Sequence, residues 1–299
     1  MKKIILVIGT LILGVGVYMM FFNDDSVVYE NETQDAVQSQ DVVDELNDEE
    51  VADETEEMSS IEDSECVGGE FVDEYNICGE EIGRSVENRP MYSFSVGEGE
   101  NTVLVVGGIH AGAEYNSFDI VSKLLKYYLG VESGVLEDVQ LVFVPVVNPD
   151  GIANNTRTNA HDVDLNRNWS TDDWKEDTYH PDSGTSEGAG GDKPLSEPET
   201  IALNSLITSI NPDITIVFYS QAGSVEDNDV GIAHNIAALY SKAADYKHID
   251  EWTYYEITGD LLASLREDGI PAFEVVLETR ETELERNLKG MEVVLEYFK

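Results

Sequence analysis

"NTVLVVGGIHAGAEYNSFDIVSKLLKYYLG", residues 101–130, runs through three kinds of sequence in turn. Thr102 to Val106 is a short valine-rich run, which reads as a buried strand. Ser117 to Gly130 has the apolar spacing of a helix. Between them, Gly107 to Asn116 sets His110 and Glu114 four positions apart, just past the strand. The pair could hold a metal ion, yet a catalytic zinc site usually takes three protein ligands and leaves one position open. By spacing alone the two are as well read as ordinary loop residues bonded to the backbone.

The strand-then-helix pattern recurs outward from this stretch. "VQLVFVPVV" (139–147), "ITIVFYS" (214–220) and "AFEVVLE" (272–278) read as strands. "SEPETIALNSLITSI" (196–210), "GIAHNIAALYSKAADY" (231–246), "DLLASLREDG" (260–269) and "TELERNLKGMEVVLEYF" (282–298) read as helices. Ser196 stands three before Glu199, the signature of a capping box. This alternation predicts an α/β fold with a largely parallel sheet. Such sheets bind ligands beyond the carboxyl ends of their strands, so the loops after residues 106, 147, 218 and 276 should meet on one rim.

The first 78 residues are different material. Ile4 to Phe22 carries no charge, follows Lys2 and Lys3, and precedes Asp24 and Asp25. At 1.5 Å per residue it spans roughly 28 Å, close to a bilayer's hydrocarbon core. Residues 1–22 are therefore expected to be a single transmembrane helix, N-terminus cytoplasmic, with the rest of the chain outside. A cleaved signal peptide is the alternative, although no small-residue cleavage site follows the run. Residues 23–78 are expected to be a disordered acidic tether, and 79–299 the folded domain. Cys66 and Cys78, the chain's two cysteines, either form a disulfide in an oxidising compartment or stay free. With 61 acidic residues against 17 basic and a formal charge of -44, the chain repels nucleic acid, which is excluded as a partner.

"NPDGIANNTRTNAHDVDLNRNW", residues 148–169, is the most specific stretch. With the segment from Ile82 to Asn116 before it and "PLSEPET" after it, it resembles the zinc carboxypeptidase family over about Ile82 to Leu295. The resemblance is closest to a bacterial branch with a Gly-Gly-Ile-His first motif. It implies a three-layer α/β/α sandwich around a mixed eight-stranded sheet, one zinc ion, and substrates that are peptide C-termini or cell-wall stem peptides. His110 and Glu114 match the first two zinc ligands. Arg157 is similar to the arginine that stabilises the developing oxyanion, a task for fixed positive charge. Asn166 and Arg167 match the pair that grips the terminal carboxylate, for which the guanidinium fork is suited. Tyr255 resembles the mobile tyrosine that closes over substrate. A salt bridge within this acidic chain is the competing account of Arg157 and Arg167.

The resemblance departs at two places. The family's third zinc ligand is a histidine before Ser-Gln-Ala, and here that position holds Tyr219. A phenol must lose a proton near pKa ~10 to ligate well. The family's general base aligns with Val276, leaving Glu274 and Glu278 two residues to either side, about 6.6 Å along a strand. A bulge would be needed to bring Glu278 into catalytic place. His161, His180, His234 and His248 read as surface residues, with His161 and His180 the ones a folded-in loop could supply as ligands. Three readings stay open: a membrane-anchored metallopeptidase with a modified site, a non-catalytic module that binds peptide C-termini, or a structural exported domain with no ligand.

Overall fold

The computed structural model describes residues 6–11, 14–19, 71–72, 77–180 and 184–299. The chain divides into two compact units, Met1–Ser60 and Ile61–Lys299.

In the first unit, Leu6–Leu11 and Gly14–Met19 pair as an antiparallel ribbon with Leu6 opposite Met19. This corrects the expected transmembrane helix. Among the described residues no helix is long and apolar enough to cross a membrane. Gly9, Gly14 and Gly16 interrupt a run of valine, isoleucine and leucine that also holds Thr10. Glycine disfavours a helix interior, and β-branched side chains suit strands. The acidic tether falls almost wholly outside the described residues. Within it, Phe71–Val72 pairs with Ile77–Cys78. Cys78 is disulfide-bonded, and Cys66 is the only other cysteine in the chain.

The second unit is built on strands β1 (Glu80–Arg84), β2 (Pro90–Val96), β3 (Asn101–Val106), β4 (Val139–Val144), β5 (Ile214–Ser220), β6 (Ser224–Asp227), β7 (Lys247–Ile249) and β8 (Ala272–Leu277). They form one eight-stranded sheet in the order β7-β6-β8-β5-β3-β4-β2-β1. The four central strands β4, β3, β5 and β8 are mutually parallel. β2 and β1 are added antiparallel on one side, and β6 runs antiparallel to β8 on the other. The parallel sheet expected from the alternating pattern is thus confined to the middle, and the whole is mixed.

Helices α1 (Tyr115–Leu129), α4 (Ala233–Ala244) and α6 (Leu284–Tyr297) cover one face, and α3 (Pro198–Ile210) and α5 (Leu261–Glu267) the other; α2 (Pro149–Asn154) is a short turn after β4. Side chains alternate across a strand, so each strand feeds both cores. Val103 and Val105 pack with Ile120, Leu124 and Met291, while Leu104 and Val106 pack with Leu203 and Leu261. The arrangement is an α/β/α sandwich. In β5 and β8 the second face carries Val217, Tyr219, Ala272 and Val276, and that face meets the site described next.

One local expectation changes. Glu197, not Ser196, is the N-cap of α3, and Pro198 opens the helix. Ser196 instead accepts from the Asn168 amide, and Glu199 accepts from the backbone of Val86 and from Asn159.

Candidate active site

Past the end of β3 the chain must turn at once to keep Ile109 in the core. Gly108 makes the turn with φ +59°, where a Cβ would meet the Pro145 carbonyl at 2.7 Å. Its own carbonyl accepts from the N–H groups of Val147 and Asn148, which ties the loop after β3 to the loop after β4. Gly112, at φ +60°, then opens a single 3-10 turn, Gly112–Glu114, that folds Glu114 back over His110.

The two side chains face each other, with His110 Nδ1 3.3 Å from Glu114 Oε2. The other ring nitrogen, Nε2, lies 2.8 Å from Asp164 Oδ1. Asp164 precedes the 3-10 turn Leu165–Arg167, and the same oxygen accepts from the Asn166 N–H at 2.9 Å. Arg157 closes a ring of four. Its Nε donates to Asp164 Oδ2 at 3.0 Å and its Nη1 to Glu114 Oε1. His110, Glu114 and Asp164 are buried and Arg157 partly so, and the charges reinforce one another. Burial alone would raise the Glu114 carboxyl, but His110 and Arg157 draw it down to about 2. Burial is likewise outweighed at Asp164, which Arg157, His110 and Arg167 hold well below the usual carboxylate range.

Asp164 was not singled out in the sequence, although it stands two residues before Asn166 in the same motif. No spacing rule signals that it would meet a histidine 54 residues earlier. A partner on Nε2 fixes the ring orientation and turns Nδ1 toward Glu114.

Around this ring lies a cavity lined by His110, Glu114, Arg157, Asn166, Arg167, Tyr219, Trp252, Tyr255, Glu274 and Val276, among others. The candidate residues from the loops after β3 and β4 are therefore brought together with Tyr255. Asn166 uses its side-chain oxygen to accept from the Leu261 N–H, which opens α5. Arg167 is buried and donates from Nη1 to the Asn166 carbonyl at 2.7 Å. Among the described residues no carboxylate forms an ion pair with it. The salt-bridge account thus holds for Arg157 and fails for Arg167.

Glu278 is not brought in. It lies beyond β8, exposed, 2.9 Å from Arg286 Nη1. β8 runs straight through Leu277 in register with β5, with no bulge to swing Glu278 back. His161 is held by Glu197 at 2.7 Å, away from the cavity lining. "NPDG" also turns out structural: Asp150 accepts from Ser85, Arg89 and the Glu87 N–H and pins the β1–β2 connection.

Tyr219 and Val276 do face the cavity, as register partners on β5 and β8. The Tyr219 ring lies 5.5 Å from that of His110. Its hydroxyl is buried without a hydrogen-bond partner. Burial, then the carboxylates of Glu274 and Asp260, push the phenol well above 10, so it stays protonated. The residues therefore do not build the three-donor zinc centre that the family resemblance implies. Two donors meet, the third position carries a neutral phenol, and one Glu114 oxygen is taken by Arg157. Val276 offers no proton acceptor.

A further carboxylate does line the cavity. Glu274 stands two residues before Val276 on the same strand face, directly opposite Glu226 on β6. Burial, then the charges of Glu226 and Asp260, push the Glu274 carboxyl well above its usual range.

The zinc carboxypeptidase family model matches residues 77–227. Murein peptide amidase A of Escherichia coli K12 is 44% identical over 87 residues, 27% of this chain and 36% of that relative. A gamma-D-glutamyl-L-diamino acid endopeptidase 1 from Lysinibacillus sphaericus is 24% identical over 218 residues, 59% of this chain and 55% of that relative. The chain thus matches about a third to a half of these two proteins. Among solved structures, murein-tripeptide amidase MpaA from Escherichia coli O157 superposes with a TM-score of 0.60 at 25% identity, over 73% of this chain and 91% of that one. Fold, motif and match agree, and the chain belongs to the zinc carboxypeptidase family.

Proposed function

We propose that this domain binds the free carboxyl end of a peptide, of the murein-peptide class that its relatives' names describe, without ordinary zinc-dependent cleavage. The observation that carries this is Arg167. In a chain with 61 acidic residues it is a buried guanidinium that no described carboxylate pairs with. A buried cation of this kind is costly unless something pairs with it. Two buried hydrogen-bond donors line the same cavity without partners, the Tyr219 hydroxyl and Trp252 Nε1. A carboxylate ligand supplies acceptor oxygens to all three.

The acidic wall narrows the class. Glu274 faces the cavity with Glu226 and Asp260 close enough to raise its pKa. Three crowded carboxyls favour an incoming cation. The best-fitting ligand is a peptide whose terminal residue bears a side-chain amine, in keeping with the diamino acid in one relative's name. The direct test is calorimetric titration of the full chain with a tripeptide ending in lysine, its C-terminally amidated form, and the norleucine analogue. Binding should weaken by about tenfold or more with either change. Equal affinity for all three would refute the reading.

A second reading, hydrolysis, is favoured by Glu274 alone, as a carboxyl in the cavity that could exchange protons. Zinc-supplemented full chain would then release terminal residues, and Glu274→Gln would stop it. We also infer that the domain works outside the cytoplasm. The disulfide at Cys78 supports it, since such bonds persist in oxidising compartments. Cell fractionation that finds the chain in the cytosol would count against it.

A further inference from the structure

Two of the chain's five histidines, His234 and His248, meet at one carboxylate. Asp227 ends β6, His234 lies in the first turn of α4, and His248 is the middle residue of β7. Asp227 Oδ2 lies 2.8 Å from His248 Nε2 and 3.2 Å from His234 Nδ1. One donor atom from each of the three residues lies within 4.8 Å of the others. The other carboxylate oxygen, Oδ1, accepts from the Asp229 N–H at 2.8 Å, which fixes the direction of Oδ2. The imidazole rings are tilted by 46° with centroids 5.2 Å apart, so their nitrogens converge on the carboxylate rather than stacking.

We propose that Asp227, His234 and His248 form a binding site for a divalent first-row transition-metal ion, separate from the cavity. Two imidazoles and one carboxylate suit zinc and its neighbours, and a solvent molecule can complete the shell. The hydrogen bond to Oδ1 is the outer support that ligating carboxylates usually have. Asp227 is buried, whereas the His234 side chain is 54% exposed, so an ion can enter from solvent. The site is on the opposite face of the sheet from the cavity, because side chains alternate along a strand. Asp227 pairs with Phe273, which packs in the core under α4, while its neighbour Glu226 pairs with the cavity residue Glu274.

The ion would act as a clamp. β7 has only three residues and sits at the sheet edge. A metal there ties it to both β6 and α4. The chain that leaves β7 carries Trp252 and Tyr255 into the cavity lining, and the Trp252 N–H donates to Glu226, the neighbour of Asp227. The clamp thus anchors the root of the segment that forms one cavity wall.

The test uses full chain freed of metal by chelation, then titrated with Zn2+ by equilibrium dialysis and with Co2+ by visible absorption. We expect about one ion per chain whose uptake is unchanged by His110→Ala and weakened at least tenfold by His248→Ala. His234→Ala, at an exposed position, serves as the variant whose folding is not at risk and should weaken uptake as well. Saturating zinc should raise the Tm of the wild type by about 5 °C and leave His248→Ala unmoved. No uptake, or uptake indifferent to both His234→Ala and His248→Ala, overturns the proposal. Loss of uptake in His110→Ala alone overturns it too, by assigning the ion to the cavity.

Discussion

Tyr219 and Val276 are register partners on adjacent parallel strands, and both side chains face His110 across the cavity. They occupy the two positions where the family resemblance implies a metal ligand and a proton acceptor. Restoring both, with Tyr219→His and Val276→Glu, should raise zinc affinity at the cavity by about tenfold or more. It should also bring measurable release of a terminal residue. Zinc titration of the doubly substituted chain, with His234→Ala added to remove the other candidate site, checks this.

Arg167 should decide recognition of the free carboxylate. A bidentate charge-assisted contact contributes about 1.5–3 kcal/mol, so Arg167→Ala should weaken binding of free-ended peptide by roughly 10- to 100-fold. Affinity for the amidated peptide should barely change. Arg167→Lys should recover little, since an ammonium lacks the planar fork. Paired calorimetric titrations read both effects.

The acidic wall makes a pH prediction. The folded pKa of Glu274 stands above its unfolded value of about 4.3, so the native state holds a proton that the unfolded chain has lost. This contribution to stability is present below the unfolded value and is lost as pH rises through the folded one. Glu274→Gln keeps the neutral form throughout. Its Tm advantage over wild type should therefore grow from pH 5 to pH 8 in thermal melts. An amine-bearing peptide stabilises the ionised form instead, so its affinity should rise over the same range.

Asp164 holds His110, Arg157 and the Asn166 N–H at once. Asp164→Ala leaves the buried His110 ring without its Nε2 partner and Arg157 with Glu114 alone, at a cost of about 1–3 kcal/mol. Denaturant unfolding should show this as a lower midpoint with an unchanged slope.

Gly290 lets α6 approach α4. A Cβ there would meet the Tyr240 ring at 2.4 Å. That ring is fully buried, and its hydroxyl donates to Asn287 Oδ1 at 2.8 Å, so it cannot swing aside. Gly290→Ala should cost about 1–3 kcal/mol by overpacking, again read by denaturant unfolding.

Much of this was legible in the chain itself. Val103 to Val106 could only be a buried strand, because a run apolar on both faces has no side to show to water. The loops after such strands had to gather at one rim, and His110, Glu114, Arg157, Asn166, Arg167 and Tyr255 do line one cavity. The replacements at 219 and 276 were equally visible, because identity at a motif position is a local fact. The N-terminal ribbon is not legible in hydropathy, because an uncharged stretch of strand-forming residues scores the same as a helix of that length.

What the sequence could not show depends on residues distant in the chain becoming neighbours. Whether Arg157 or Arg167 would be paired rested on where Glu114 and Asp164 came to lie, 43 and 7 positions from Arg157. Glu274 shares its strand face with Val276, and the influence of Glu226 on it arose because β6 folded back against β8 and set the two opposite each other. Asp227, His234 and His248 converged because an edge strand and a helix turn close on the same carboxylate. Local propensity acts over a few residues, whereas charge and coordination act through space. The chain therefore carried its own fold and motif, and packing alone decided which charges were paired, which were left open, and where.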